Sequence, residues 1–360
     1  MVPFYEKARR QTVISSVEGG ALYNYETSRG NVPVAVLSGE PEAMGRQYGA
    51  LVGDRIFRNV ERTHQLFAEM GIPRPVVERI MSAAYEHMAP FVPDALNAEM
   101  RGVVKGADSA GVPLDIEALQ RFITATNFDL YKREERIVEF LDAETAALLG
   151  DMGGQNPMQC TFFALWGART VDGKMLSMRN LDWLSQTGMH EDRLITVYRP
   201  QEGIPFVSMG YAGVLGCLAG INAAGITFSE IGAFSVSEEL DGIPWIFLSR
   251  TTLQMADNLE KAVAIVQNAR HTIGYNYLVA DGDPEQYGTE VFNPQAAAFE
   301  TNHSCCEMFR DNDPKEQDAT WTDAEGNRHK YGLPLKEAIM RADTAFGATT
   351  RALQAADDGP

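Results

Sequence analysis

Cysteine is scarce in this chain: Cys160, Cys217, Cys305 and Cys306 are the only four in 360 residues. That number gives no disulfide framework, and the neighbours Cys305 and Cys306 could bridge only with strain, so a reducing, cytoplasmic setting is expected. Positive charge is also in deficit. The chain has 31 Lys and Arg against 49 Asp and Glu, a net charge of −18, which disfavours nucleic acid and anionic membrane surfaces as partners. No run approaches the roughly 18 consecutive apolar residues of a membrane span. Met1 to Gln11 contain Glu6, Lys7, Arg9 and Arg10 with no apolar run behind them, so no signal peptide is expected. There is no G-x-x-x-x-G-K-[ST] loop, and Gly216 to Gly220 lacks the strand, spacing and acidic partner of a dinucleotide site; no nucleotide, nicotinamide or flavin cofactor is expected. His303, Cys305, Cys306 and Glu307 have no second pair at zinc spacing, so no metal is expected either. His64, His87, His190, His271 and His329 are scattered singly.

The remaining composition is that of a globular enzyme-sized protein: 45% of residues are hydrophobic, enough for a sizeable core. Residues 41 to 127 carry apolar side chains at helical spacing in Pro41–Phe67, Pro75–Met88 and Leu96–Ala107, broken at Gly71-Ile72-Pro73, Pro93 and Gly111-Val112-Pro113. Between Asp129 and Met158 the chain becomes charged and then loop-like. From Cys160 the period changes to that of strands. Phe162–Gly167 and Lys174–Arg179 flank Asp172-Gly173, a two-residue hairpin signal. Ile195–Tyr198 with Phe206–Met209, then Ile226–Glu230, Tyr275–Ala280, Thr289–Phe292 and Ala297–Thr301 read as further strands. Trp245–Met255 reads as a helix, and Asp257 with Glu260 as the capping box of another. Asp343–Pro360 reads as a short helix with a polar end that supplies no closing segment. A layered α+β or α/β protein is expected, divided into a helical segment 1–159 and a strand-rich segment 160–360.

The chemistry concentrates in Gln159-Cys160-Thr161-Phe162-Phe163-Ala164 and Arg179-Asn180-Leu181-Asp182-Trp183. A thiol attacks carbonyls well only as a thiolate or beside a base. A cysteine at a new chain terminus carries such a base in its own α-amine, whose reference pKa of about 7.7 to 8.0 suits proton uptake. The hairpin would bring the start of the Cys160 strand beside the end of the strand carrying Arg179 and Asp182. Taken alone, Cys160 reads more readily as a core cysteine than as a nucleophile, and Arg179 with Asp182 as a surface ion pair. An Arg and an Asp three apart on one extended strand point to opposite faces, so a joint site requires the strand to end at Asn180.

In order and spacing, the block Cys160–Trp183, the stretch Gly220-Ile221-Asn222-Ala223-Ala224-Gly225 and Thr301-Asn302-His303 resemble the N-terminal-nucleophile hydrolases. The resemblance covers about residues 33 to 305. It is nearest to the autoproteolytic acyltransferases and amidases related to penicillin acyltransferase, and more distant to bile-salt hydrolases and acid ceramidases. It implies a four-layer αββα sandwich. It also implies cleavage between Gln159 and Cys160 into alpha and beta fragments that stay associated, with a homo-oligomer allowed. In the implied site Cys160 is the nucleophile, Arg179 stabilises charge, Asp182 orients the α-amine, and Asn222 and Asn302 hold the oxyanion. Asn276 and His303 are second-rank candidates. The expected partner is a small-molecule acyl-amide or acyl-thioester substrate. Gln159 stands where related enzymes usually carry a small residue, often Gly. Two alternatives follow: an uncleaved small-molecule-binding homologue, and a single-chain thiol hydrolase with a histidine base such as His303.

Overall fold

The computed structural model describes residues 10–69, 71–127, 160–182, 185–233, 235–322 and 325–354. The expectations placed on Gln159, on Trp183 and on the stretch 129–158 lie outside them. The described residues form two compact units, one holding residues 10–127 and 185–217, the other residues 160–182 and 218–354.

The first unit contains the expected helices α1 (Pro41–Glu69), α2 (Arg74–Met88) and α3 (Asp94–Ser109), with α4 (Ile116–Ala125) behind the Asp115 cap. Glycines set how α1 meets α3. A Cβ on Gly49 would fall inside the Val103 carbonyl and one on Gly106 inside the Arg46 carbonyl, so the two backbones touch where side chains would hold them apart. Within the segment expected to be mainly helical, three strands precede α1: β1 (Arg10–Val17), β2 (Gly20–Thr27) and β3 (Gly30–Gly39). They pair as an antiparallel meander. Along β3, Pro33, Ala35 and Leu37 are buried and Val32, Val34 and Val36 half-buried, so burial alternates although the run is apolar throughout. β3 then pairs in parallel with β6 (Arg193–Pro200), which pairs antiparallel with β7 (Phe206–Tyr211).

The second unit holds two sheets. One is the hairpin β4 (Cys160–Gly167) and β5 (Gly173–Leu181), extended on the other side of β4 by β15 (Ala338–Arg341), giving the order β15-β4-β5. The hairpin forms as expected, but the turn runs from Ala168 to Asp172 rather than through two residues, with Gly173 at a φ of 75° that suits glycine. The other sheet carries, in order, β8 (Ala219–Asn222), β9 (Ile226–Gly232), β10 (Tyr275–Asp281), β11 (Gln295–Asn302) and β12 (Cys305–Phe309). β13 (Thr320–Thr322) and β14 (Arg328–Lys330) form a separate ribbon. Thr289–Phe292, expected as a strand, is a turn: Thr289 N–H donates to the Gln286 carbonyl and Phe292 N–H to the Thr289 carbonyl, and the edge-on pair Tyr287 and Phe292 closes it.

Alternation along β10 divides its side chains between two layers. Leu278 and Ala280 pack with Ile231, Ala296 and Ala298 against Cys160, Phe162, Ala164 and Trp166 of β4. Tyr275 and Tyr277 stack with one another on the opposite face, where Trp245 meets Tyr275. Helices α5 (Trp245–Met255) and α6 (Leu259–Asn268) lie on that side. The cap of α6 is Asn258, whose side chain accepts from Lys261 N, and not the expected Asp257, which pairs with the Lys261 ammonium. The result is a helix–sheet–sheet layering within this unit, and the α+β expectation holds. The outer face of the small sheet carries exposed Leu176, Met178 and Met340.

The tail does supply a closing segment, contrary to expectation. After β15, the backbone N–H groups of Phe346 and Gly347 and the Thr350 hydroxyl all donate to Glu300 of β11, fixing the short helix α7 (Ala348–Leu353). No helix among the described residues is long and apolar enough to cross a membrane.

Candidate active site

Cys160 is the first residue of the central strand of the small sheet. It is 8% exposed and faces the interior between the sheets. Its neighbours follow from register. β5 places Leu181 opposite Cys160 and Arg179 opposite Phe162; β15 places Arg341 opposite Phe162 on the other side, so Asp343 continues that ladder to the level of Cys160. The Cys160 backbone N–H donates to Asp343 Oδ1 at 3.0 Å.

Arg179 points inward with the odd-numbered residues of β5. Its Nε donates to the Glu230 carbonyl at 2.6 Å, and its Nη2 donates to the Glu230 carboxylate and lies 3.8 Å from Cys160 Sγ. Both charged side chains are almost fully buried, at 6% and 4% exposure. The salt bridge holds the guanidinium where one edge remains available to the sulfur. Glu230 is pushed above the usual carboxylate range by burial and pulled back by Arg179.

Burial pushes the Cys160 thiol up to about 11. Arg179 pulls it down, Glu230 raises it, the Asp182 backbone N–H directed at the sulfur lowers it, and Asp343 raises it. At neutral pH the sulfur of the intact chain is therefore a protonated thiol that needs a base before it can attack.

The expected role of the Asp182 carboxylate does not match this geometry. β5 continues to Leu181, so Asn180 and Asp182 stand on the exposed side, and the Asp182 carboxylate accepts from Asn180 Nδ2 at 2.9 Å. Strand alternation separates Asp182 from Arg179; only its backbone N–H reaches the sulfur. Asn222 is also corrected. Its Nδ2 donates to the carbonyls of Leu253 and Ala256, at 2.8 and 2.7 Å, and its Oδ1 accepts from Ala224 N and Ile226 N. With both donors committed, it holds the β8–β9 turn against the end of α5 and has none for an oxyanion.

Asn302 closes the β11–β12 hairpin through Oδ1, which accepts from Ser304 N and Cys305 N. Its Nδ2 has no hydrogen-bond partner among the described residues. Asn276 lies on the β10 face that looks towards β4. Its Nδ2 donates to Ala342 O at 2.9 Å, and its buried Oδ1 has no partner among the described residues. His303 directs Nδ1 to the His271 carbonyl at 3.0 Å and, at 3.7 Å, towards Asp241. Among the described residues no group of three His, Cys, Asp or Glu is arranged to hold a metal.

Sequence reasoning missed Glu230 and Asp343. Glu230 sits inside an apolar strand, and a lone acidic residue in such a run is itself a sign that something must neutralise it. Asp343 lies 183 residues from Cys160 and follows a strand that had not been recognised.

Residues 169–331 match the model of the family described as acyl-coenzyme A:6-aminopenicillanic acid acyl-transferase. The match includes Arg179, Asp182, Asn222, Asn276 and Asn302, and begins after Cys160. An uncharacterized protein of Archaeoglobus fulgidus is 26% identical over 274 residues, 73% of this chain and 43% of its own. Protein dcd1B of Dictyostelium discoideum is 22% identical over 282 residues, 72% of this chain and 50% of its own. The chain thus spans about half the length of the curated relatives it matches. Among solved structures, the Caenorhabditis elegans N-acylethanolamine-hydrolyzing acid amidase ortholog is similar at 16% identity and a TM-score of 0.34, covering 42% of this chain and 64% of its own. The family match agrees with an acyltransferase-type fold, and with the resemblance drawn from the sequence.

Proposed function

We propose that the protein is an N-terminal cysteine hydrolase or acyltransferase acting on an amide or acyl-thioester bond, activated by cleavage between Gln159 and Cys160. The observation that carries this reading is the buried Arg179 guanidinium held by Glu230 with Nη2 at 3.8 Å from Cys160 Sγ, at the inner edge of a two-sheet layer. A thiol raised to about 11 by burial is idle at neutral pH; the α-amine released by cleavage supplies a base on the same residue.

In the proposed reaction the Cys160 amine takes the thiol proton as Sγ attacks the substrate carbonyl carbon. Negative charge passes from sulfur to the carbonyl oxygen, where the unpartnered Asn302 Nδ2 is the candidate donor, and Arg179 stabilises the charge that starts on sulfur. As the tetrahedral centre collapses, the leaving amine or thiol takes a proton back from the ammonium, and the acyl group remains as a thioester on Cys160. Water completes a hydrolysis; a second amine completes a transfer. His303, with Nδ1 turned to His271 and Asp241, is a weaker candidate base.

The test is a panel of acyl p-nitroanilides and acyl-coenzyme A thioesters offered to the wild type and to Cys160→Ala. Turnover should be confined to the wild type, with the variant equally folded. Equal turnover by folded Cys160→Ala would remove Cys160 from the chemistry.

A further inference from the structure

The protons on the Cys160 nitrogen do not match the acceptors around it. In the intact chain that nitrogen is an amide with one hydrogen, and Asp343 Oδ1 already accepts it at 3.0 Å. One residue earlier, the Ala342 carbonyl takes the Asn276 Nδ2 donor at 2.9 Å, which leaves Asn276 Oδ1 buried on the Cys160-facing side of β10 with nothing to accept among the described residues. A buried amide oxygen without a donor is costly and calls for an explanation. A nitrogen carrying more than one hydrogen, on the strand directly opposite, supplies one.

We propose that Asp343, at the end of the β15 ladder, is the carboxylate that holds the Cys160 nitrogen, first as the scissile amide and then as the new α-amine, in the place expected of Asp182. This rests on the reading of Cys160 as a residue that becomes a chain terminus. During cleavage Sγ attacks the Gln159 carbonyl carbon, the C–N bond breaks, and the nitrogen takes up the proton that the thiol gave up; water then hydrolyses the thioester and frees the Gln159 carboxyl group. Asp343 lies against the leaving nitrogen throughout, so it steadies that atom as it gains hydrogens. In the mature form its negative charge favours the ammonium, with the Asn276 oxygen as a further acceptor. The other charges around the nitrogen are Arg179 and the exposed Asp182 from β5, Glu230 from β9, and Arg341 and Glu300, which pair with one another. Asp343 alone among them accepts from the nitrogen.

An opposite charge in contact raises an amine pKa by about one unit or more. The amine acts as a base only when neutral, so Asp343→Asn, which removes the charge, should move its titration to lower pH by about one unit. The measurement has two parts. The first is the cleavage rate of wild type, Asp343→Ala, Asp343→Asn and Asp182→Asn, followed by intact mass after synthesis. The second is competitive acetylation of the Cys160 α-amine across pH in cleaved protein whose thiol is blocked with methyl methanethiosulfonate. Cleavage of Asp343→Ala slowed by about tenfold or more, and a downward amine shift in Asp343→Asn larger than in Asp182→Asn, are the expected results. Where Asp343→Ala does not fold, the isosteric Asp343→Asn decides. A wild type that cleaves while both Asp343 variants keep its rate and its amine titration overturns the role of Asp343 and leaves the proposed function standing. A wild type that never cleaves overturns both.

Discussion

Two buried arginine–glutamate pairs flank β4, and they differ in what is left over. Arg341 on β15 is closed on all sides: Nε donates to Glu300 and Nη2 to Glu316, Nη1 donates to the Met340 carbonyl, and the guanidinium lies near the rings of Phe309 and Phe346. Glu300 in turn accepts from Phe346, Gly347 and Thr350. Arg179 on β5 is held by Glu230 alone and keeps Nη2 towards Cys160 Sγ. In the first pair each guanidinium nitrogen of Arg341 donates to a protein group, and the pair locks the tail to β11. The second keeps one donor for a sulfur, which is the arrangement of a site.

The largest effect that could break this contrast is on stability. Arg341→Leu leaves Glu300 and Glu316 buried without their cation, and should cost about 3 to 5 kcal/mol. That loss is read from denaturant unfolding, with Cys160 reactivity largely retained in whatever remains folded. Arg179→Leu should cost a comparable amount through Glu230 and also slow the alkylation of Cys160 by iodoacetamide. Equal slowing by the two variants in folded protein would erase the difference between the pairs.

Next in size is the pH dependence of the thiol. In unprocessed chains, resolved by mass, Cys160 alkylation should climb about tenfold per pH unit between pH 7 and 10, because the thiol titrates near 11 and the thiolate fraction grows tenfold per unit below that value. A plateau near pH 8 would show a thiol already activated before cleavage. Glu230→Gln sharpens the same point. Glu230 raises the thiol pKa, so its neutral isostere should speed alkylation at pH 8 by a few-fold, up to about tenfold for one unit. Slower alkylation in a folded variant would mean that the pair positions Arg179 more than it restrains it.

Smaller still is Asn222→Ala, which strips four hydrogen bonds from the β8–β9 turn. A loss of about 1 to 3 kcal/mol is expected for the buried groups left unpaired, with Cys160 cleavage preserved. Folded but uncleaved Asn222→Ala would return this residue to the site. The smallest effect belongs to the α6 cap: Asn258→Ala should cost about 1 kcal/mol, and Asp257→Ala less, by thermal melting.

The residues that were legible from sequence were those whose partners lie nearby in the chain. Helices α1 to α3 show their buried faces as spacing, and the β4–β5 hairpin brings Arg179 to Cys160 across nineteen positions. The same strand alternation that supports Arg179 argues against the Asp182 carboxylate, and β5 running to Leu181 decides the matter. Asn258 displaced Asp257 as a cap because its backbone is the extended residue before the helix, at φ −154° and ψ 168°, and two adjacent capping residue types do not reveal which one adopts that conformation. Strands β1 to β3 escape local pattern because β1 is largely exposed and Val32 to Leu37 is apolar at every position, so the alternating burial of β3 leaves no alternation in the sequence. Asp343 was beyond local pattern altogether: its role exists only once β15 pairs with β4.

The central claim is that Cys160 becomes a chain terminus. The most direct measurement is an intact-mass spectrum of freshly purified wild-type protein beside Cys160→Ala. Two wild-type fragments whose masses meet between Gln159 and Cys160, with the variant intact, are the predicted result. A single unprocessed wild-type chain of full mass would contradict it, and would leave a buried, protonated thiol beside Arg179 with no amine to activate it.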